Sequence, residues 1–196
     1  MNTSLRIAIA DDEPDMRDYF QLILPRLGHT VVAAAQNGRE LVELCRKTEP
    51  DLVITDIKMP VLDGVDAAIQ IYQERPIPVI LVSAHQDDGL IARAESDHIM
   101  GYLVKPIKQS DLKPTIAIAV HRFEQFQALR QEAADLRQAL NDRKVIERAK
   151  GIMMKKAGLD EAEAFRRLQK LASEKNRKLV EIAAMILTAE EAFQSP

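Results

Sequence analysis

Asp11-Asp12, Asp56, Ser83 and Lys105 each stand at or just after the end of a short apolar run. Asp56 closes Asp51-Leu-Val-Ile-Thr-Asp56, and Ile-Lys-Met-Pro60-Val-Leu-Asp-Gly64 follows, where Pro60 and Gly64 break regular structure. Taken alone, that stretch reads equally as a site carboxylate or as a cap for the next helix. Taken with the others, it describes chemistry. Three clustered carboxylates repel one another and drive a pKa upward unless a cation lies among them. A hard divalent ion with oxygen ligands, Mg²⁺ in the first instance, resolves that conflict and keeps waters for a phosphate. Lys105 offers an anion a point charge, and Ser83 offers a hydroxyl donor. A carboxylate nucleophile, a metal, a lysine and a hydroxyl are together the parts of phosphoryl transfer onto Asp56. In that reaction, positioning and charge neutralisation carry most of the catalysis.

These residues converge only if the elements before them form one sheet. Leu5 to Ala10 reads as a strand, and Pro14 opens a helix with Met16, Tyr19, Phe20, Ile23, Leu24 and Leu27 at three-to-four spacing. Pro25 should kink or end that helix near Leu24. Thr30–Ala35 is a second strand and Gly38–Thr48 a second helix. The Asp56 strand is third, followed by a helix over Val65–Gln73, a strand over Pro78–Ser83, a weakly periodic helix over Asp87–Ser96 and a strand over Gly101–Val104. Five alternations of strand and helix predict a parallel sheet covered on both faces. Ligands of such sheets bind outside the carboxyl ends of the strands, which is where all five polar residues fall.

The motifs Asp11-Asp12, Asp56-Ile-Lys-Met-Pro60-x-x-Asp-Gly64, Ser83-Ala84 and Gly101-Tyr-Leu-Val-Lys105-Pro106 resemble those of a response-regulator receiver domain over residues 4 to 125. The resemblance implies a doubly wound, flavodoxin-like sheet of order 2-1-3-4-5. It implies that Asp56 accepts a phosphoryl group from a sensor histidine kinase. Asp12, Asp56 and the Lys58 carbonyl would hold Mg²⁺, with Asp11 assisting through water. Ser83 and Lys105 would bind phosphoryl oxygens, and Tyr102 would be an aromatic switch that follows Ser83. One stretch departs from the family pattern: Asp97-His98-Ile99-Met100 replaces the usual small Gly-Ala-type turn. A residue closing a helix there must adopt a left-handed conformation that Gly takes more readily. The phosphotransfer motifs are untouched, but the fourth-helix face that receivers commonly signal through becomes unusual. His85 and His98 fit loop or capping roles better than a metal pair.

Beyond Pro106 a long helical stretch opens at Ser110, with Pro114 still in its first turn. Phe126, Leu129, Ala133, Leu136 and Leu140 alternate steps of three and four, a coiled-coil seam of about two heptads. A parallel homodimer is the favoured reading; packing of that stripe on the chain's own receiver is the other. Residues 143 to 194 read as three short helices. The first has Val145, Ile146, Ala149, Ile152 and Met153 inward and stops at Ala157-Gly158. Asp160 caps the second, with Ala164, Phe165, Leu168, Leu171 and Ala172 inward. The third begins at Lys178, with Leu179, Ile182, Ala183, Ile186 and Leu187 inward.

Charge is divided along the chain. Through Ile107 there are seventeen acids against ten bases; from Asn141 to Lys178 there are twelve bases against six acids. A basic module behind an acidic one is the footprint of a nucleic-acid binder, the alternative being a merely solvated face. Ala139-Leu140-x-x-Arg143-x-x-Ile146-x-x-Ala149-Lys150-Gly151-Ile-Met-Met154, with Glu163-Ala164-Phe165-x-x-Leu168, resembles the ANTAR family over residues 136 to 190. That resemblance implies binding of paired RNA stem-loops and transcription antitermination. Unstacked loop bases are readable where A-form grooves are not. With Phe165 the one aromatic expected near the basic surface, Arg143, Lys150, Lys155, Arg167 and Lys170 are the expected contacts, and binding should depend strongly on salt.

The divisions expected are therefore residues 1–125 (receiver), 126–141 (coiled-coil linker) and 142–196 (RNA-binding, three helices). Cys45 is the single cysteine, which excludes disulfide frameworks and cysteine-rich zinc sites and suits a small core position. No apolar run approaches the roughly 18 residues that span a bilayer, and no secretory signal opens the sequence, so a cytoplasmic protein is expected. No second catalytic constellation suggests an enzyme with a diffusible product. Two other classes remain. Leu179-Val-Glu-Ile-Ala183 resembles the first helix of a DNA-binding helix-turn-helix, but no recognition helix follows it. A module that sequesters a protein partner under phosphorylation control is the other.

Overall fold

The computed structural model describes residues 4–84 and 99–194. Five parallel strands are joined in the order β2-β1-β3-β4-β5, the order the receiver resemblance implies. They are β1 (Arg6–Ala10), β2 (Thr30–Ala35), β3 (Leu52–Asp56), β4 (Val79–Ser83) and β5 (Ile99–Val104). The central strands β3 and β4 are buried at every residue, which explains why residues 52–54 and 79–82 are apolar without alternation before the polar ends. One face is packed by α2 (Gly38–Thr48) and α3 (Gly64–Glu74), with Cys45 buried among them as expected. The other is packed by α1 (Pro14–Arg26) and by Leu112, Ile116 and Ala119 of α4 (Gln109–Ala157).

Local chemistry sets the element ends. Pro14 starts α1 as its spacing predicts, and the helix ends at Arg26, one residue past Pro25 and close to the expected stop near Leu24. A late Pro removes little, because the final carbonyls are taken by the amides of Leu27, Gly28 and His29, with Gly28 at φ 91°. Asn37 caps α2 by accepting from the Glu40 amide at 2.9 Å, and Asp63 caps α3 by accepting from Asp66 at 2.8 Å. Ile99 and Met100, expected before the last strand, are its first residues. Met100 is buried and Ile99 pairs with Val79, so apolar burial extends the strand backward. Pro114 lies inside α4 rather than in its first turn. The expected helix over Asp87–Ser96, with His85 and His98, lies outside the described residues.

Two compact units divide the chain, Met1–Gln127 and Ala128–Pro196. In the first, Phe126 packs half-buried against the α1 side of the sheet. It belongs to that core and not to the seam assigned to it from spacing. In the second, the later part of α4, α5 (Glu161–Lys175) and α6 (Leu179–Gln194) enclose Ala149, Leu168, Ala172, Ile182 and Ala183. Gly158 follows α4 at φ 65° and its amide reaches the Met154 carbonyl at 3.1 Å. Asp160 opens α5 with a reciprocal cap, accepting from the Glu163 amide at 2.7 Å while Glu163 accepts from its own. Phe165 is corrected from core to surface, 36% exposed. The inward positions of α5 are Ala164, Leu168 and Ala172, at four-residue steps, and Phe165 lies one residue off that stripe. No described helix is long and apolar enough to cross a membrane.

Candidate functional site

The carboxyl ends of β1, β3, β4 and β5 bring Asp11, Asp12, Asp56, Ser83 and Lys105 to one end of the sheet. Asp11 and Asp56 are buried, as is Ser83, while Asp12 is exposed. Carboxylate oxygens of Asp11, Asp12 and Asp56 lie within 4.8 Å of one another. Lys105 reaches over them, its Nζ 3.0 Å from Asp11 Oδ2 and 3.6 Å from Asp56 Oδ1. The backbone holds this mouth together: the Lys105 amide donates to the Ser83 carbonyl at 2.9 Å, and the Ile57 amide to Val82 at 3.0 Å.

Gly64 allows the loop after Asp56 to close. Its amide donates to the Ile57 carbonyl at 2.8 Å, and a Cβ placed on it would fall 1.9 Å from the Asp56 carbonyl oxygen. Only a residue without a side chain fits there. Two further residues serve the site that spacing did not single out. Arg17, one turn into α1, donates to the carbonyls of Asp11 at 2.7 Å and Asp12 at 3.1 Å, bracing the acidic turn. Glu13 binds Lys105 Nζ at 3.1 Å through Oε1, while its amide donates to Asp11 Oδ1 at 3.0 Å. Their signal was present as helix phase, since Arg17 lies four residues from Glu13, but each read as an ordinary surface charge.

Electrostatics follow burial. Desolvation raises the Asp56 carboxyl to about 6; Lys105 opposes that rise, and Asp11 and Asp12 add to it. Asp11 is raised chiefly by burial too. Burial disfavours the charged Lys105, but its carboxylate partners outweigh that and hold its pKa above the ordinary lysine value. Asp11 Oδ2 is fully buried and pairs with Lys105 Nζ at 3.0 Å. Three carboxylates whose oxygens lie within 4.8 Å of one another, offset only in part by Lys105, form a hard oxygen donor set that fits a divalent cation. Of the other expected site residues, Lys58 is exposed on the loop after Asp56, and Tyr102 is 38% exposed on β5 at the edge of the sheet.

The basic residues of the second unit divide into two kinds. Arg143, Lys155, Arg167 and Lys170 are exposed. Lys150, expected among them, is buried; its Nζ binds Glu161 at 2.7 Å and Glu147 at 2.9 Å and lies 5.8 Å from the centre of the Phe165 ring. It links α4 to α5, because Glu147 of α4 and Glu161 of α5 both reach it.

Residues 7–117 match the response regulator receiver domain family, and residues 134–187 match the ANTAR domain family. The transcriptional regulatory protein PdtaR of Mycobacterium tuberculosis is 40% identical over 182 residues, spanning 93% of this chain and 89% of that protein. Among solved structures, a response regulator receiver domain protein from Clostridium thermocellum is 30% identical at TM-score 0.56, covering 61% of this chain and 96% of that one. The signal receiver domain of a modulated diguanylate cyclase from Desulfovibrio desulfuricans is 28% identical at TM-score 0.59, covering 62% and 98%. Parallel sheet, acidic end and flanking lysine thus define a receiver. The chain belongs to the response regulators and joins a receiver domain to an ANTAR domain.

Proposed function

We propose that Asp56 accepts a phosphoryl group from a sensor histidine kinase, and that this controls RNA binding by the second unit to promote transcription antitermination. The observation that carries the reading is the meeting of Asp11, Asp12 and Asp56 with Lys105 at the carboxyl end of the sheet. An Asp56 oxygen attacks phosphorus, the phosphorus–nitrogen bond of the kinase phosphohistidine breaks, and the imidazole leaves with the electron pair and takes up a proton. Lys105 and Ser83 hold the phosphoryl oxygens, and Arg17 fixes the turn that carries the acidic pair. Asp11, Asp12, Asp56 and the Lys58 carbonyl would hold Mg²⁺, which supplies charge neutralisation for the transferring group. Tyr102 is the proposed switch that couples Ser83 to the surface. No separate enzymatic activity is proposed.

Arg143, Lys155, Arg167 and Lys170 are the proposed phosphate contacts to RNA, and their exposure supports that role. Lys150 is proposed instead as an internal tie. Leu129, Leu136 and Leu140, each at least 60% exposed, support pairing of two copies through α4, so that two units engage two stem-loops. A cytoplasmic setting follows from such partners. The test of the acceptor is incubation with acetyl phosphate and Mg²⁺, followed by separation on a phosphate-affinity gel. Wild type should shift and Asp56→Asn should not; an equal shift in both would place the phosphoryl group elsewhere.

A further inference from the structure

One face of the second unit holds a cavity built around a glycine that packing does not require. Arg148, Gly151, Ile152 and Lys155 stand at i, i+3, i+4 and i+7 on α4, hence on one stripe of the helix. Facing them, α6 contributes Leu187, Glu190 and Glu191, and the two helices border an open cavity of about 330 Å³. A second cavity of about 360 Å³ shares Ile152, Lys156 and Glu190 with it and is also lined by Arg167 of α5.

Glycine within a helix is disfavoured relative to alanine. At Gly64 a side chain would collide with backbone, but a Cβ at Gly151 would meet no atom within 4 Å. The position is therefore bare without a steric need. A cation stands one turn before it and another one turn after. Lys155 is exposed and has no ion-pair partner among the described residues. Arg148, also exposed, lies 3.8 Å from Glu191. The ion pair between Lys156 and Glu190, at 2.7 Å, occupies the wall common to both cavities.

We propose that this cavity seats one unstacked nucleotide of the RNA. Its phosphate lies between Arg148 and Lys155, its sugar crosses Gly151, and its base rests on Ile152 and Leu187. The inference rests on the RNA reading above and narrows it to one face of the unit. Charge favours an anion at one end of the cavity: Lys155 has no ion-pair partner among the described residues, and Arg148 has only exposed Glu191 at 3.8 Å, so a phosphate would complete the pairing of both, whereas an apolar partner helix would bury Lys155 unpaired. Size selects a single nucleotide, since the volume sits at the small end of the roughly 300–1,000 Å³ found for ligand pockets. Bases freed from a helix are the ones a protein can hold in this way.

The test uses the full chain and an RNA carrying two stem-loops, with affinity measured by anisotropy at several salt concentrations and folding followed by thermal unfolding. Gly151→Ala should unfold at the same temperature as wild type or higher, yet bind RNA several-fold more weakly. Gly151→Leu should bind at least tenfold more weakly. Arg148→Ala and Lys155→Ala should each reduce the salt slope by about one. If Gly151→Leu remains folded and binds like wild type, the seat is wrong while the RNA reading stands. If Gly151→Leu fails to fold, the alanine variants decide, and unchanged affinity and salt slope in all three would overturn the seat. Should wild type bind neither this RNA nor a random single-stranded RNA, both readings fall.

Discussion

Asp56 is held under two opposed influences, burial that favours its neutral form and Lys105 at 3.6 Å that favours its charge. Burial dominates, so the carboxyl titrates near 6. A raised folded-state pKa contributes stability in full below the unfolded value near 3.8, and that stability is lost as pH rises through about 6. At neutral pH the ionised Asp56 is therefore a destabilising residue. Asp56→Asn should raise stability at pH 7.5 by about 2 kcal/mol, a gain that shrinks toward pH 4, when both side chains are neutral. Paired thermal or urea unfolding at the two pH values checks this, and a gain independent of pH would contradict it. Cation binding supplies a second reading of the same carboxylates. Mg²⁺ at about tenfold its dissociation constant should stabilise wild type by roughly 1.4 kcal/mol and leave Asp12→Asn and Asp56→Asn unmoved. At this scale the sequence was legible where a residue's position depends on strand ends, as for Asp11, Asp56, Ser83 and Lys105. It was not legible where the role depends on a partner distant in sequence. Glu13 meets Lys105 only through the fold, and Lys150 meets Glu161 only once α5 has turned back on α4.

The elements were readable wherever periodicity and capping agreed. β3, β4, α2 and the Asp160 cap stand where their residues indicated, because each is decided by adjacent chain. The errors occur where tertiary burial decides. Met100 draws β5 backward by its burial, and Phe126, in step with the seam by spacing, is captured by the receiver core. Gly64 has the sharpest requirement of any position on these elements. Gly64→Ala should destabilise the receiver by about 3 kcal/mol or more and abolish phosphoryl acceptance, since backbone of α3 or of Asp56 must shift to admit a methyl group. Unaltered unfolding and acceptance would show that the loop is looser than its geometry. On α4, Leu136→Lys should leave each chain folded, because the side chain is 60% exposed within one copy, yet shift sedimentation from dimer to monomer and lower the melting temperature only by what the pairing contributes. A monomeric wild type would remove the seam as an interface.

Across the whole chain, an acidic receiver precedes a basic helical unit, and each has its own apolar core. The receiver rests on two layered cores, whereas the buried apolar residues of the second unit are Ala149, Ala164, Leu168, Ala172, Ile182, Ala183 and Leu187, four of them alanine. Leu168→Ala should therefore cost about 2 to 5 kcal/mol there, enough to unfold a unit of that size, and RNA binding should be lost with receiver phosphorylation intact. The central claim is that the phosphoryl state of Asp56 governs the RNA affinity of a unit remote from it in sequence. Its most direct measurement is the affinity of the full chain for a two-stem-loop RNA, with Mg²⁺ alone and with Mg²⁺ plus beryllofluoride, in wild type and in Asp56→Ala. Beryllofluoride should tighten binding by wild type roughly tenfold or more and leave Asp56→Ala unchanged. Equal affinity of wild type in both conditions would contradict that coupling.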